Sequence, residues 1–247
     1  MTKEKSGLNR NNRQGTVSNS RTVPMTQGRQ TDNRIESLHY LIVCEGKETE
    51  PNYFNSMLQN KSSTVLDAEV IGAGRCTKSL VEYAKSKKTE IETKRGFRFD
   101  RVWIVFDKDD FQDFNKAIAL CHEYGFKAAW TNEAFEFWFY LHFEYLDTAI
   151  GRGDYIDKLE QFIRKKEGYE NFKYEKNDKD FYKILQKFGD EKKAVKFAKK
   201  MRHEFEAEIN QGNYDKAKPC TTVDVLVDEL RNPEKVLKEI KNSETTE

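Results

Sequence analysis

The sequence predicts an α/β fold, in which helices flank a mainly parallel sheet and an α-helical extension follows at the C-terminus. Residues 41–44 and 102–106 are continuous apolar runs, which are typical of strands buried on both faces of a parallel sheet. Segments with helical spacing of apolar residues follow both runs, at 49–59 and 113–124. Alternation of strands and helices favours parallel pairing through helical crossovers.

Four strand–helix pairs are predicted within residues 37–150, which form the α/β core. The strands are expected at residues 39–44, 68–71, 101–106 and 126–130. The helices are expected at residues 49–59, 79–93, 113–124 and 133–143. Pro51 is acceptable in the first turn of the first helix, and Gly125 is a typical stop for the third.

The chain changes character on both sides of this core. Residues 1–36 contain almost no large apolar side chain, so they are predicted to be a disordered polar tail. Residues 151–235 are predicted to be a helical extension that packs on the core, and residues 236–247 a frayed end. The helices of the extension are expected at residues 154–168, 178–189, 191–210 and 222–230.

Composition sets limits on the function. The chain of 247 residues has 43 Lys and Arg against 42 Asp and Glu, so attraction to nucleic acid would need a local basic patch. Its four cysteines have no CxxC spacing, which favours a reducing cytosol and no zinc site. No apolar leader and no run of transmembrane length is present, so the protein is expected to be cytoplasmic and away from membranes.

Acidic residues follow two of the predicted strands directly. Glu45 comes after the first strand, and Asp107 and Asp109 come after the third. Ligands of open α/β sheets bind beyond the carboxyl ends of the strands, and alternate residues of an extended chain point to one side. These carboxylates can therefore converge on a divalent metal, which indicates phosphoryl chemistry. The alternative for the acidic pair is a solvated turn that also caps the next helix.

Other acidic residues surround these positions. Asp110 is expected to point away, as a helix cap or a support for a metal ligand. Glu48 and Glu50 suit the N-terminus of the first helix, whose dipole they complement, and Glu48 is also a candidate support. Glu133 and Glu136 lie on one face of the fourth helix, and Glu136 is the better candidate for a further carboxylate at the site.

Residues 72–79 form a glycine-containing loop between a strand and a helix. The loop lacks the glycine that precedes lysine in a P-loop, because Thr77 stands there. Helix capping by Thr77 or Ser79, with Glu82 completing a capping box, is the simpler explanation. A stand-alone nucleotide-binding enzyme is the hypothesis that depends on this loop. Four basic residues are candidate phosphate contacts: Lys47, Arg75, Lys78 and Lys108.

Several short motifs together resemble a known family. The order of Glu45 and then Asp107-x-Asp109 resembles the TOPRIM domain of topoisomerases, primases and OLD-type nucleases. Residues 43–54 (VCEGKETEPNYF) resemble the opening motif of RloB-like proteins. The segments DKD at 107–109, NEAFEFW at 132–138 and KPCTTV at 218–223 resemble later motifs of that family. The resemblance spans roughly residues 38–230.

The resemblance implies a TOPRIM-like sheet, with Glu45 as a general acid/base or metal ligand. It implies that Asp107 and Asp109 are ligands of Mg²⁺ or Mn²⁺. It further implies a metal-dependent nuclease that is a toxic effector in bacterial anti-phage defence (abortive infection). An ABC- or AAA-type ATPase encoded nearby is the expected partner.

Some alternatives stay open. No domain with a tyrosine nucleophile is evident, which favours hydrolysis over strand passage. DNA, RNA and tRNA all remain candidate substrates, and a homo-oligomer is compatible with the sequence. The competing hypothesis is a non-catalytic adaptor whose TOPRIM-like module binds metal and the ATPase.

Overall fold

A five-stranded sheet forms the centre of the structure, a computed structural model that describes residues 37–59, 66–109 and 112–244. The strands lie in the order β2-β1-β3-β4-β5, and the first four are parallel. Their bounds are β1 Leu38–Cys44, β2 Leu66–Gly72, β3 Arg101–Asp107, β4 Lys127–Asn132 and β5 Cys220–Thr221. The α/β fold with a mainly parallel sheet is confirmed. The predicted tail at 1–36, Asp110 and residues 245–247 lie outside the described residues.

Helices surround the sheet and form the C-terminal region. The core helices are α1 Thr49–Gln59, α2 Thr77–Arg95, α3 Phe114–Glu123 and α4 Glu136–Leu141. The C-terminal helices are α5 Arg152–Arg164, α6 Phe181–Phe188, α7 Glu191–Glu204, α8 Glu206–Asn210, α9 Val223–Arg231 and α10 Pro233–Glu244. None of the helices within the described ranges is long and apolar enough to cross a bilayer.

The two central strands place the site. Leu41 and Ile42 of β1 and Ile104 of β3 are fully buried, in agreement with strands covered on both faces. Cys44 lies opposite Val105, so β1 and β3 end side by side at the same edge of the sheet. The residues that follow these two strands are therefore neighbours in space.

Three predicted elements differ in the structure. The helix expected at 191–210 is divided at Phe205, whose φ and ψ of −105° and 21° leave the helical region. The helix expected at 133–143 begins only at Glu136, because Glu133 has a φ of 126°. The end expected to be frayed contains most of α10, which is held by the buried side chain of Val236.

The capping box predicted for α2 is wrong. Cys76 occupies the N-cap position without a side-chain cap bond, and the Ser79 hydroxyl donates back to the Cys76 carbonyl at 2.8 Å. Glu82 instead accepts a hydrogen bond from the Tyr124 hydroxyl at 2.8 Å. A hydroxyl that bonds to a carbonyl one turn earlier competes with capping of the free N–H groups.

A largely buried ion pair helps to hold the C-terminal region on the sheet. Arg202 of α7 donates to the Thr221 carbonyl of β5 at 2.8 Å and to Asp224 of α9 at 2.7 Å. Asp224 is 1% exposed. Since β5 pairs antiparallel with β4, this ion pair connects two C-terminal helices to the edge of the core.

His142 gives the fold a predictable acid sensitivity. It lies buried at the end of α4, with Nδ1 3.0 Å from the Trp138 carbonyl, and burial lowers its pKa to about 4. The unfolded chain takes up this proton near pH 6.5, so acid favours unfolding as the pH falls from about 6.5 towards 4. Relative to His142→Asn, the wild type should lose about 3 kcal/mol of unfolding free energy between pH 7 and 4. Urea unfolding at several pH values measures this difference, and parallel pH profiles would contradict it.

Candidate functional site

Glu45 and Asp107 meet where β1 and β3 end. The Glu45 backbone N–H donates to the Val105 carbonyl at 2.8 Å and so extends the pairing of the two strands. The Glu45 carboxylate accepts a hydrogen bond from the Asp107 backbone N–H at 3.3 Å. Two residues separated by 62 positions in the chain are thereby brought together, as expected from the carboxyl ends of parallel strands.

Asp107 is the most enclosed carboxylate of this group. Its side chain is buried, and Oδ2 accepts from the Phe135 backbone N–H and from Arg152, both at 3.0 Å. The second oxygen, Oδ1, is also buried and has no hydrogen-bond partner among the described residues. A buried acceptor without a donor is costly, which marks this atom as a position for a ligand.

Asp109 reaches the same place by a different route from the one predicted. Its φ of 38° shows that the chain is already turning, so alternation along an extended strand is not the reason for its position. Its Oδ1 lies 3.2 Å from the guanidinium of Arg152, which also contacts Asp107. The turn after β3 therefore brings the two aspartates to one shared cation.

Arg152, the first residue of α5, lies among the acidic groups. Besides the two aspartates it contacts Glu136, whose Oε2 is 3.3 Å from the Arg152 Nε. Glu136 is buried at the start of α4 and accepts from the Tyr174 hydroxyl at 3.3 Å. A guanidinium thus occupies the space between three carboxylates that come from two separate parts of the core.

Glu50 is a fifth carboxylate of the cluster that the sequence analysis assigned only to the helix N-terminus. It is buried in the first turn of α1, and a Cβ at Gly46 would collide with its carboxylate. Gly46, four residues earlier, therefore leaves the space that this side chain occupies. That glycine is the sequence signal that could have pointed to Glu50.

Burial among like charges raises the pKa of three of these acids. Burial, followed by the nearby charges of Asp109 and Glu50, raises the pKa of Glu45 to about 7. The pKa of Asp107 is raised well above its usual range by burial and by Glu50 and Glu136, although Arg152 opposes this shift. Burial also raises the pKa of Glu50. The cluster therefore has a strong preference for an added positive charge or proton.

The cluster lines a cleft with a volume of about 240 Å³. Six acidic and three cationic side chains contribute to its walls, so carboxyl groups outnumber cationic groups two to one. The cations are Arg152, Lys47 and Lys176, and neither lysine forms an ion pair with any residue that the structure describes. Lys176 reaches the cleft because the Thr49 hydroxyl donates to its carbonyl at 3.4 Å.

The carboxylates of the cleft are the right type of ligand for a hard divalent cation, but they are not arranged around a position for one. Carboxylate oxygens are the ligands that Mg²⁺ and Mn²⁺ prefer, and Oδ1 of Asp107 is free to accept one. Within the described ranges, however, no group of three or more His, Cys, Asp or Glu side chains is spaced to hold a metal ion. The Arg152 guanidinium occupies the position between the carboxylates instead.

Only some of the remaining predicted site residues line the cleft. Glu48 and Lys47 line it, whereas Glu133 forms an ion pair with Lys218. Three other predicted phosphate contacts do not line the cleft: Arg75, Lys78 and Lys108.

Two of these basic residues have contacts elsewhere. Arg75 lies over the ring of Tyr83, 4.9 Å from its centroid. The Lys108 ammonium group is 3.5 Å from the Asp109 carbonyl. Neither side chain lines the cleft.

Sequence reasoning missed Arg152 and Lys176 because both lie in the region interpreted as a helical extension. No local pattern distinguishes either residue from the many other basic side chains there. Only the folding of α5 and of the segment around Tyr174 against the strand ends brings them to the cleft.

The comparison with protein families agrees with the motifs of the sequence. A family model described as RloB-like protein matches residues 40–230, a range that contains every side chain of the acidic cluster and Arg152. No curated protein and no solved structure matches the chain. Because the family model covers well over half of the 247 residues, the chain belongs to the RloB-like protein family.

Proposed function

We propose that the protein is a metal-dependent nuclease, which hydrolyses phosphodiester bonds of nucleic acid with the help of Mg²⁺ or Mn²⁺. The observation that carries this proposal is the buried Oδ1 of Asp107, which has no partner among the described residues and belongs to a cluster of five carboxylates. Such a cluster at the ends of parallel strands is suited to a divalent cation and a phosphate.

Asp107 and Asp109 are the proposed metal ligands, Glu45 is a further ligand or the general base, and Glu136 and Glu50 are additional acids of the cluster. A bound divalent ion would position the scissile phosphate and offset the charge that develops on its oxygens. The excess of carboxyl groups over cationic groups in the cleft supports this assignment.

The chain's own residues supply the other parts of the reaction. Glu45 is oriented by the Asp107 backbone N–H and lies at the edge of the cleft, where it can take a proton from an attacking water. Lys47 and Lys176 line the same cleft without ion pairs in the described part of the chain, so they are available to a phosphate. If a metal ion took the place of Arg152 among the acids, its guanidinium would be available to a phosphate.

The second candidate is a non-catalytic adaptor, and one observation favours it. Arg152 already neutralises part of the acidic cluster, and no ready-made metal group exists among the described residues. In an adaptor the ion pairs would serve only to hold α4 and α5 against the strand ends. The helical C-terminal region would then bind the ATPase.

Replacement of Glu45 by glutamine separates the two candidates. We would incubate the purified chain with labelled tRNA, single-stranded RNA and plasmid DNA, in Mg²⁺, Mn²⁺ or EDTA. A nuclease should lose at least about 100-fold in cleavage rate on Glu45→Gln, because general acid–base catalysis contributes that much or more. Glu123→Gln, an exposed change at the end of α3, is the matched control.

The proposed role in anti-phage defence includes an ATPase partner, so the same experiment is also done with that partner. Each reaction would be repeated with the ATPase encoded nearby, with and without ATP. Cleavage that requires metal and Glu45 establishes the nuclease. If no substrate is cleaved under any condition and Glu45→Gln still binds the ATPase, the adaptor is correct.

A further inference from the structure

A second cavity lies beside the acidic cleft and has no role in the proposed metal chemistry. Its volume is about 290 Å³, and it lies between α1 and the residues around the start of α6. Three side chains with amide groups line it from α1, and three charged side chains line it from the other side. These residues are Asn52, Asn55 and Gln59, and Lys179, Asp180 and Lys183.

The cavity continues the acidic cleft along both of its walls. On α1, Thr49 lines the cleft and Asn52, about one helical turn or 5 Å further on, lines the cavity. On the opposite segment, Lys176 lines the cleft and Lys179 lines the cavity. The hydroxyls of Thr49 and Ser56 donate to the carbonyls of Lys176 and Lys179, at 3.4 and 3.0 Å, so the two walls are joined.

The charge of the cavity is opposite to that of the cleft. Lys183 is paired with Asp180 at 2.6 Å, whereas Lys179 forms no ion pair with the described residues and is exposed. One lysine charge therefore remains uncompensated. The Asn52 side-chain nitrogen is buried and has no hydrogen-bond partner in the described part of the chain. A buried amide donor without an acceptor is expected to have a ligand that supplies one.

We propose that this cavity binds the nucleotide next to the one whose phosphate lies in the acidic cleft. This inference rests on the proposed nuclease function. Lys179 contacts the backbone phosphate, and the amides of Asn52, Asn55 and Gln59 contact the edge of an unpaired base. Asparagine and glutamine each offer donors and an acceptor, which suits base edges, whereas phosphate contacts give affinity without sequence preference. The ligand is a single strand, because the Watson–Crick edge of a base is accessible only when the base is unpaired.

The test compares one double variant with a matched one. Lys179→Gln/Asn55→Ala changes two exposed residues of the cavity, and Lys173→Gln/Asn171→Ala changes two exposed residues nearby that line neither cavity nor cleft. Fluorescein-labelled 12-residue single strands of RNA and DNA, one homopolymer of each base, are titrated in EDTA at several salt concentrations. Fluorescence anisotropy gives the dissociation constants, and circular dichroism checks the fold.

For the cavity variant we expect binding at least about fivefold weaker than wild type, and a salt slope smaller by about 0.7 for the lost phosphate contact. Asn55→Ala alone should reduce the differences in affinity among the four bases. The control variant should bind like wild type. The RNA and DNA arms show which strand the cavity accepts.

Three results would overturn this inference. They are wild-type affinity in the cavity variant, equal losses in cavity and control variants, and no binding of any strand by the wild type. Failure of the proposed nuclease function can be distinguished from failure of this inference. If the wild type binds strands through the cavity but cleaves none, the subsite stands and the nuclease does not. If it cleaves and the cavity variant has the same KM, the nuclease stands and the subsite does not.

Discussion

Asp107→Asn is expected to lower the rate of phosphodiester cleavage by at least about 100-fold, since even groups that only support metal ligands contribute 10–100-fold. The change keeps an oxygen that can accept the hydrogen bond from the Phe135 backbone N–H, which the carboxylate accepts at 3.0 Å. It removes the negative charge from Oδ1, the buried atom with no partner among the described residues. Single-turnover cleavage in Mg²⁺ measures the effect, and binding of Mn²⁺ by calorimetry should weaken in parallel.

A matched control comes from the other end of the same strand. Asp100 directly precedes β3 and accepts a hydrogen bond from the His39 backbone N–H at 2.7 Å, far from the carboxyl ends of the strands. Asp100→Asn should leave both cleavage and Mn²⁺ binding unchanged. If Asp107→Asn retains full cleavage, or if both variants lose activity equally, Asp107 is not a metal ligand of the reaction.

The ends of the central strands could be predicted from the sequence, because short local runs of residues determine them. Runs such as residues 102–106 are apolar throughout, which is typical of a strand covered on both faces. Glu45 and Asp107 follow from that pattern, because parallel strands place their carboxyl ends at one edge. Asp109 was also found, although a turn with positive φ brings it to the site and not the alternation of a strand.

The presence of Arg152 in the site could not be predicted, because its position depends on contacts between distant parts of the chain. Arg152 is separated from Asp107 by 45 positions and lies in a charged stretch where many basic residues look equivalent. The strand β5 could not be predicted either, because two residues are too few to show a pattern. It pairs with β4 only after the C-terminal region returns to the sheet. Glu50 was placed on the correct helix, but its burial depends on the space left by Gly46.

Arg152→Gln is expected to lower the free energy of unfolding by about 2 kcal/mol at pH 7. Removal of one partner of a buried ion pair costs about 3–5 kcal/mol, and a smaller value applies here because a third of the Arg152 side chain is exposed. The loss arises because Asp107 and Glu136, with side chains 7% and 3% exposed, lose the guanidinium that contacts both of them. Urea unfolding measures it, with Arg164→Gln as control. Arg164 lies on the same helix, and in the described structure it forms one ion pair, with Glu160, and a hydrogen bond to the Phe172 carbonyl.

A divalent cation should restore the stability that Arg152→Gln loses. If the guanidinium stands where a metal binds, its removal both empties that position and strengthens the attraction of the carboxylates for a cation. At a fixed Mn²⁺ concentration of about 100 times the wild-type Kd, the wild type should gain about 2.7 kcal/mol and Arg152→Gln should gain more, because its Kd is lower. Equal gains in both proteins would show that metal and guanidinium do not compete. A variant as stable as Arg164→Gln would instead show that Arg152 is not the counter-ion of the buried acids.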